Sequence, residues 1–229
     1  MGILANAISI VIGGLSGSLI GTKISKSVNK VVAIAVMLIS FVGIIENLFI
    51  VKDGEITSTS LYLVTAVFVI GTLIGEWLKI EERMSNLAST DKPYLNGIID
   101  SSVFFGIGGL QISGSILLAV NGDSSLLYLK SMIDLPLSIM FGAVYGRVVA
   151  LSSIPVALIQ LLIAAIAYLF GDLISSDMIR DLSAIGYIIL FFGGFNLICE
   201  PKFKIKNSNM IPAIILLIIY YLLLTVGEI

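Results

Sequence analysis

Runs of about 20 apolar residues, repeated along the whole length of the chain, constrain its fold more than any other feature. They lie at 2–21, 29–51, 61–79, 98–120, 126–148, 153–171, 182–200 and 209–227. A helix rising 1.5 Å per residue needs about 20 apolar residues to cross a hydrocarbon layer of about 30 Å. Lipid offers backbone groups no hydrogen-bonding partner, so spanning segments are helices or closed barrels, and a barrel would alternate polar with apolar residues. The expected fold is therefore an all-α integral membrane protein of about eight transmembrane helices, and the lipid bilayer is its first partner. A mean hydropathy of +1.09 with 12% charged residues agrees, since soluble chains carry roughly a quarter.

Composition narrows the function. A net charge of -2 with scattered basic residues gives nucleic acid no footprint. With no histidine and a single cysteine, Cys199, the usual zinc ligands are missing, an internal disulfide is impossible, and proton chemistry falls to carboxylates or lysine. No phosphate-cradling loop and no nucleophile-and-base constellation occurs, so no enzyme and no cofactor, beyond a possible Na⁺, is expected. The N-terminus lacks a basic leader region and a small-residue cleavage site, so residues 3–21 are read as a retained helix.

Ten of the thirteen Lys and Arg residues fall in the connections after spans 1, 3, 5 and 7. Eight crossings put those connections on one side, which the positive-inside rule makes cytoplasmic, with both termini outside. A re-entrant hairpin in place of spans 4 and 5 would preserve that parity.

Laid on itself at an offset of about 150, the chain pairs Gly21 with Gly171, Ile24 with Ile174, Ser25 with Ser175, Gly43 with Gly193 and Glu46 with Asn196. The basic connection 23–30 then matches an acidic connection, 172–181, and the acidic connection at 53–55 matches a basic one, 202–206. Moving on by five spans reverses a unit, and reversed units should exchange loop charges. The expected plan is one polytopic domain: a half at 1–80, central helices at 98–150 and an inverted half at 151–229. Inverted halves are the architecture of many secondary transporters, although a duplication retained only because it folds would look the same.

Span 4 is the least helical of the eight, with Gly106, Gly108, Gly109 and Gly114 beside Gln111, Ser113 and Ser115. A broken helix there would offer backbone groups to an ion or solute; alternatively, small residues let helices pack and Gln111 bonds across the interface. On span 5, Lys130 and Asp134 stand four apart on one helical face. Buried ionisable groups are costly in lipid and mark sites, and the pair serves equally as a structural lock, a proton acceptor or a counter-ion. Gln160 in span 6 is too deep for water and requires a partner or ligand. Glu46 and Asn196 are candidate mirrored gates, and Glu76 is read as reaching headgroup water. Gly13/Gly17/Gly21, Gly71/Gly75 and Gly142/Gly146 form small-residue faces suited to helix packing and to a homodimer contact.

As a set, Asn6, Gly71-Thr-Leu-Ile-Gly-Glu76, Ile80-Glu-Glu-Arg83, the glycine-rich span 4, Gly122-Asp123, Lys130-Ser-Met-Ile-Asp134, Ser153-Ile-Pro155, Gln160 and Asn209-Met-Ile-Pro212 resemble the bacterial inner-membrane family of unknown function 554, the YdfK/YqgA-like proteins. The chain departs at Gly106, where cysteine is expected, and at Leu135 and Leu161, where glycine is expected. The resemblance implies a multi-pass protein of the bacterial inner membrane, often described as a transporter, and supplies no substrate. The residues then point to an ion-coupled (Na⁺ or H⁺) secondary transporter of a small solute. Its site would lie between spans 4 and 5 and comprise Asp134, Lys130, Gln111, Ser113, Gly108, Gly109, Ser115 and Gln160, with Na⁺ near Gln111, Ser113 and Asp134. A homodimeric scaffold and an ion channel are the alternatives.

Overall fold

The computed structural model describes residues 1–21, 26–52, 55–58, 60–88, 93–106 and 109–227. Those residues form ten α-helices: α1 (Gly2–Ile20), α2 (Lys26–Leu48), α3 (Leu61–Leu78), α4 (Ile80–Ala88), α5 (Pro93–Gly106), α6 (Gly109–Asn121), α7 (Ser125–Tyr145), α8 (Ser153–Leu169), α9 (Ser176–Ile198) and α10 (Ile211–Gly227). Six helical runs are long and apolar enough to cross a membrane, or seven if α5 and α6, bent by 60°, count as one. The expectation of an all-helical membrane protein holds at that level.

Local chemistry accounts for the departures. Span 2 stops short at Leu48, because Phe49–Lys52 and Glu55–Ser58 form an antiparallel hairpin with Phe49 opposite Ser58 and Ile50 opposite Thr57. Ile50, Val51, Ile56 and Thr57 are β-branched and favour a pleated strand. The acidic connection expected over 172–181 is shorter than read. Ser175 caps α9 by accepting from the Met178 N–H at 3.1 Å, with Asp177 in the first turn, so Asp181 lies inside the helix and is fully buried.

The run 125–169 is one continuous, predominantly apolar helical stretch that turns back on itself. Gly146, at φ 78°, ends α7, and a 3₁₀ segment, Gly146–Ser152, leads into α8. Contacts with α1 fix the directions. Gly2 meets Leu127 and Gly17 meets Ile139, so α1 and α7 run in parallel. Gly14 meets Ala150 while Asn6 meets Gln160, so α8 runs the opposite way. By the same test α2 and α9 are antiparallel, through Gly43 on Tyr187 and Gly194 on Met37. So are α3 and α10, through Gly71 on Ala213 and Gly75 on Asn209.

α1 is built inside out. Its buried face is Asn6, Ser9, Gly13, Gly14 and Gly17, with Ile10 the one large member, whereas Leu4, Ile8, Ile12, Leu15 and Leu19 are exposed. In lipid, leucine gains nothing by leaving the solvent, so small residues that allow close van der Waals packing take the interface. A Cβ on Gly13 would strike Ser138 and the Leu135 carbonyl, and one on Gly17 the Ile139 carbonyl. Of the glycines read as packing faces, Gly13, Gly17 and Gly142 lie in the α1–α7 seam and Gly71 and Gly75 against α10, whereas a Cβ at Gly21 or Gly146 would meet nothing within 4 Å.

Two apolar cores result, one around α9 and α10 with Leu182, Ile185 and Leu217, the other around α7 with Ile10, Leu137 and Val149. Gly17→Val should lower stability by about 1–3 kcal/mol, the usual cost of overpacking. Leu15→Ala, on the exposed face, should leave the melting temperature in detergent unchanged.

A candidate binding site between α7 and α9

A cavity of about 480 Å³ separates the two cores. Its α7 wall is the stripe Lys130, Ile133, Asp134, Leu137, Phe141 and Tyr145, and its α9 wall is Gly186, Ile189, Leu190, Gly193 and Asn196. Both follow the three- and four-residue spacing of a single helix face. Exposed Asp100, Tyr145 and Lys204 lie at one end of the lining, and buried Gln111, Lys130 and Asp134 at the other. Sequence reasoning anticipated the α6 and α7 contributions. On α9 it singled out only Asn196 and missed the rest of the wall.

At the closed end Lys130 Nζ donates to Asp134 Oδ2 at 2.7 Å, with the two side chains 10% and 4% exposed. Asn6 Nδ2 donates to the same oxygen at 2.7 Å, and Gln160 Nε2 donates to Asn6 Oδ1 at 3.1 Å. The chain of bonds therefore runs from α8 through α1 to α7, and Oδ1 of Asp134 takes part in neither bond to Oδ2. Asn6 was legible only as one polar residue in an apolar helix, because its partner stands 128 residues away. Pro136, two residues on, has no N–H to offer the Met132 carbonyl one turn back, an interruption beside the charged pair.

The other expected site residues scatter. Gln111 lines the cavity and donates to the Val156 carbonyl at 3.4 Å. Ser113 and Ser115 are fully buried on α6 and are not among the lining residues. Gly109 opens α6 after the 60° bend, and Gly108 lies outside the described residues. Gln160 reaches the site only through Asn6. Asn196 sits at the cavity mouth, where its side chain donates to the Ile205 carbonyl at 2.7 Å and accepts from the Ile205 N–H at 2.8 Å, pinning the segment before α10. Glu46 is exposed on α2 and lines no part of this cavity.

Two carboxylates take up roles that sequence did not suggest. Asp181 accepts from the Tyr221 hydroxyl at 2.7 Å, tying α9 to α10. Glu76, rather than only meeting headgroup water, accepts from Lys206 at 3.1 Å and from Asn209 Nδ2. Asn209 Oδ1 in turn caps the Glu81 N–H at 2.8 Å. The motifs at 71–76 and 209–212 are thus two sides of one joint, with Gly75 against the Asn209 backbone. Hydrogen bonds to Glu76 and then Glu82 hold the Lys206 ammonium above its ordinary 10.5. A raised value means that stability is present below 10.5 and lost as pH rises through the raised value. The melting difference between wild type and Lys206→Met should accordingly stay constant through neutral pH and fall away as pH rises from 10.5 through the raised value.

Removing one partner of a buried ion pair strands the other and typically costs about 3–5 kcal/mol. Asp134→Leu or Lys130→Met alone should therefore melt much earlier than wild type, whereas the double variant should recover most of the loss. Additive losses in that cycle would show that the two residues do not act as a pair.

Residues 1–222 match the model of a family described as "Protein of unknown function (DUF554)". The chain is 27% identical over 229 residues to the uncharacterized protein YqgA of Escherichia coli (strain K12), covering 94% of each. It is 26% identical over 156 residues to the uncharacterized membrane protein YdfK of Bacillus subtilis (strain 168), covering 66% of this chain and 68% of that one. No solved structure matches. With the family model matching nearly its whole length, the chain belongs to the DUF554 family.

Proposed function

We propose that this protein is an ion-coupled secondary transporter of a small solute, driven by Na⁺ or H⁺, with Lys130, Asp134 and Gln111 at the inner end of its solute path. The observation that carries the reading is the cavity running from exposed Asp100 and Lys204 to the buried ion pair. Its volume, about 480 Å³, lies in the range of small-molecule sites, about 300–1,000 Å³. A lock that served stability alone would have no need of an open path to the surface.

Two further features favour transport. The cavity floor is α6, which begins at the bend in a broken helix pair, the kind of element from which transporters build midplane sites. α1, α2 and α3 pack antiparallel on α8, α9 and α10 in turn, as inverted halves related by the offset of about 150 would do. We take α7 and α8 as separate crossings and α5–α6 as one broken crossing. That gives eight spans in the bacterial inner membrane with both termini outside, and the cavity then opens toward the cytoplasm, on the side of the basic connections. The solute binds against the Lys130 ammonium and Asp134 carboxylate, and Asp134 links its occupancy to the coupling ion.

Proteoliposomes with an imposed Na⁺ or pH gradient, screened against a solute library, test this reading. A solute taken up by wild type should not be accumulated by a folded Asp134→Asn protein, with uptake reduced at least about tenfold, or about 1.4 kcal/mol. Undiminished accumulation by that variant would remove Asp134 from the mechanism.

A further inference from the structure

Three buried polar atoms between α6 and α8 have no hydrogen-bonding partner: Gln111 Oε1, Ser115 Oγ and Gln160 Oε1. All three residues are completely buried. Buried polar groups in folded proteins are nearly always satisfied, so a group of three that are not calls for a ligand.

The helix register brings them together. Gln111 Nε2 donates to the Val156 carbonyl, and further on Val120 faces Gly171, so α6 and α8 run side by side in one direction. Ser115 is one turn beyond Gln111, and Gln160 one turn beyond Val156, which sets Ser115 opposite Gln160.

The amide orientations are fixed by their partners. An ionised Asp134 only accepts, so Asn6 turns its Nδ2 toward it and offers Oδ1 to Gln160. The Gln160 amide nitrogen is thereby committed to Asn6, and that of Gln111 to Val156. Neither side chain can turn its NH₂ toward the seam without breaking an existing bond. With both amide nitrogens committed elsewhere, two carbonyl oxygens and a hydroxyl are left for the seam.

We propose that this seam is a binding site for a small monovalent cation, Na⁺, held by Gln111 Oε1, Gln160 Oε1 and Ser115 Oγ. The ligands are hard, neutral oxygens, and the charge of the nearby Asp134 carboxylate is already paired with Lys130. Such a set suits a single positive charge, whereas Ca²⁺ and Mg²⁺ sites draw on carboxylates. A cation on Gln160 Oε1 polarises the amide and strengthens each bond in the chain toward Asp134. The assignment rests on the transporter reading for its role as coupling ion, but binding itself can be tested separately.

Thermal melting of the purified full-length protein in NaCl, KCl and choline chloride at equal ionic strength provides the test. Wild type should be stabilised specifically and saturably by Na⁺, because a ligand of the folded state must raise its melting point. Ser115→Ala deletes a hydroxyl that makes no hydrogen bond, so in choline it should melt at or above the wild-type temperature. Its half-saturating Na⁺ should rise at least about tenfold. Equal melting of wild type in Na⁺ and choline means that the seam holds water only and overturns the site, as does an unchanged Na⁺ response in Ser115→Ala. Gradient-driven uptake without any Na⁺ stabilisation would sink the site and leave the transporter reading standing. Specific Na⁺ stabilisation without driven uptake of any solute would do the reverse.

Discussion

The close approach of α1 to α7 is the constraint on which the rest of the architecture depends. Where Gly13, Gly14 and Gly17 meet Ser138, Ile139 and Gly142, the backbones come near enough for short side chains to reach across. Asn6 could not donate to Asp134 over a seam of leucines. Because α1 also touches α8, the same helix holds apart the two arms of the run that turns at Gly146. The second core then stands against α9 with a cavity between. Small-residue packing positions the elements, and the polar chain is what that packing makes possible.

The buried charges follow from this arrangement. A lysine and an aspartate in hydrocarbon would each be costly to insert alone, and their 2.7 Å contact offsets part of that cost. The Asn6 amide supplies a second donor to the carboxylate and passes the hydrogen-bond direction on to Gln160. Charge at one atom of α7 thus determines which end of an amide on α8 faces α6. That is coupling by hydrogen-bond polarity over three helices, and it requires no movement of the backbone.

Much of this was legible from residue order and much was not, for physical reasons. Lipid imposes a length on each span, so the apolar runs could be marked without knowledge of packing. Lys130 and Asp134 are four apart, so helix geometry alone predicted their meeting. Gly106 to Gly109 marked the bend between α5 and α6, because glycine is poor in a helix interior. The partner of Asn6, the joint between Glu76 and Asn209, and the α9 wall of the cavity depend on contacts between distant segments, which local pattern does not encode. Asp181 was misplaced into a connection although Ser175 and Asp177 carried the capping signal. The hairpin at 49–58 was absorbed into span 2 because its β-branched residues are as apolar as the helix before them.

Leu4, Ile8, Ile12, Leu15 and Leu19, facing outward along α1, invert the relation between bulk and meaning familiar from soluble proteins. The residues that give this helix its affinity for the membrane touch little else in the chain and are interchangeable with any side chain of similar oiliness. Its fold is written in what is missing, the side-chain volume withheld at Gly13, Gly14 and Gly17. For α1 the heritable quantity is thus a profile of volume, and hydrophobicity is only the medium in which that profile is carried.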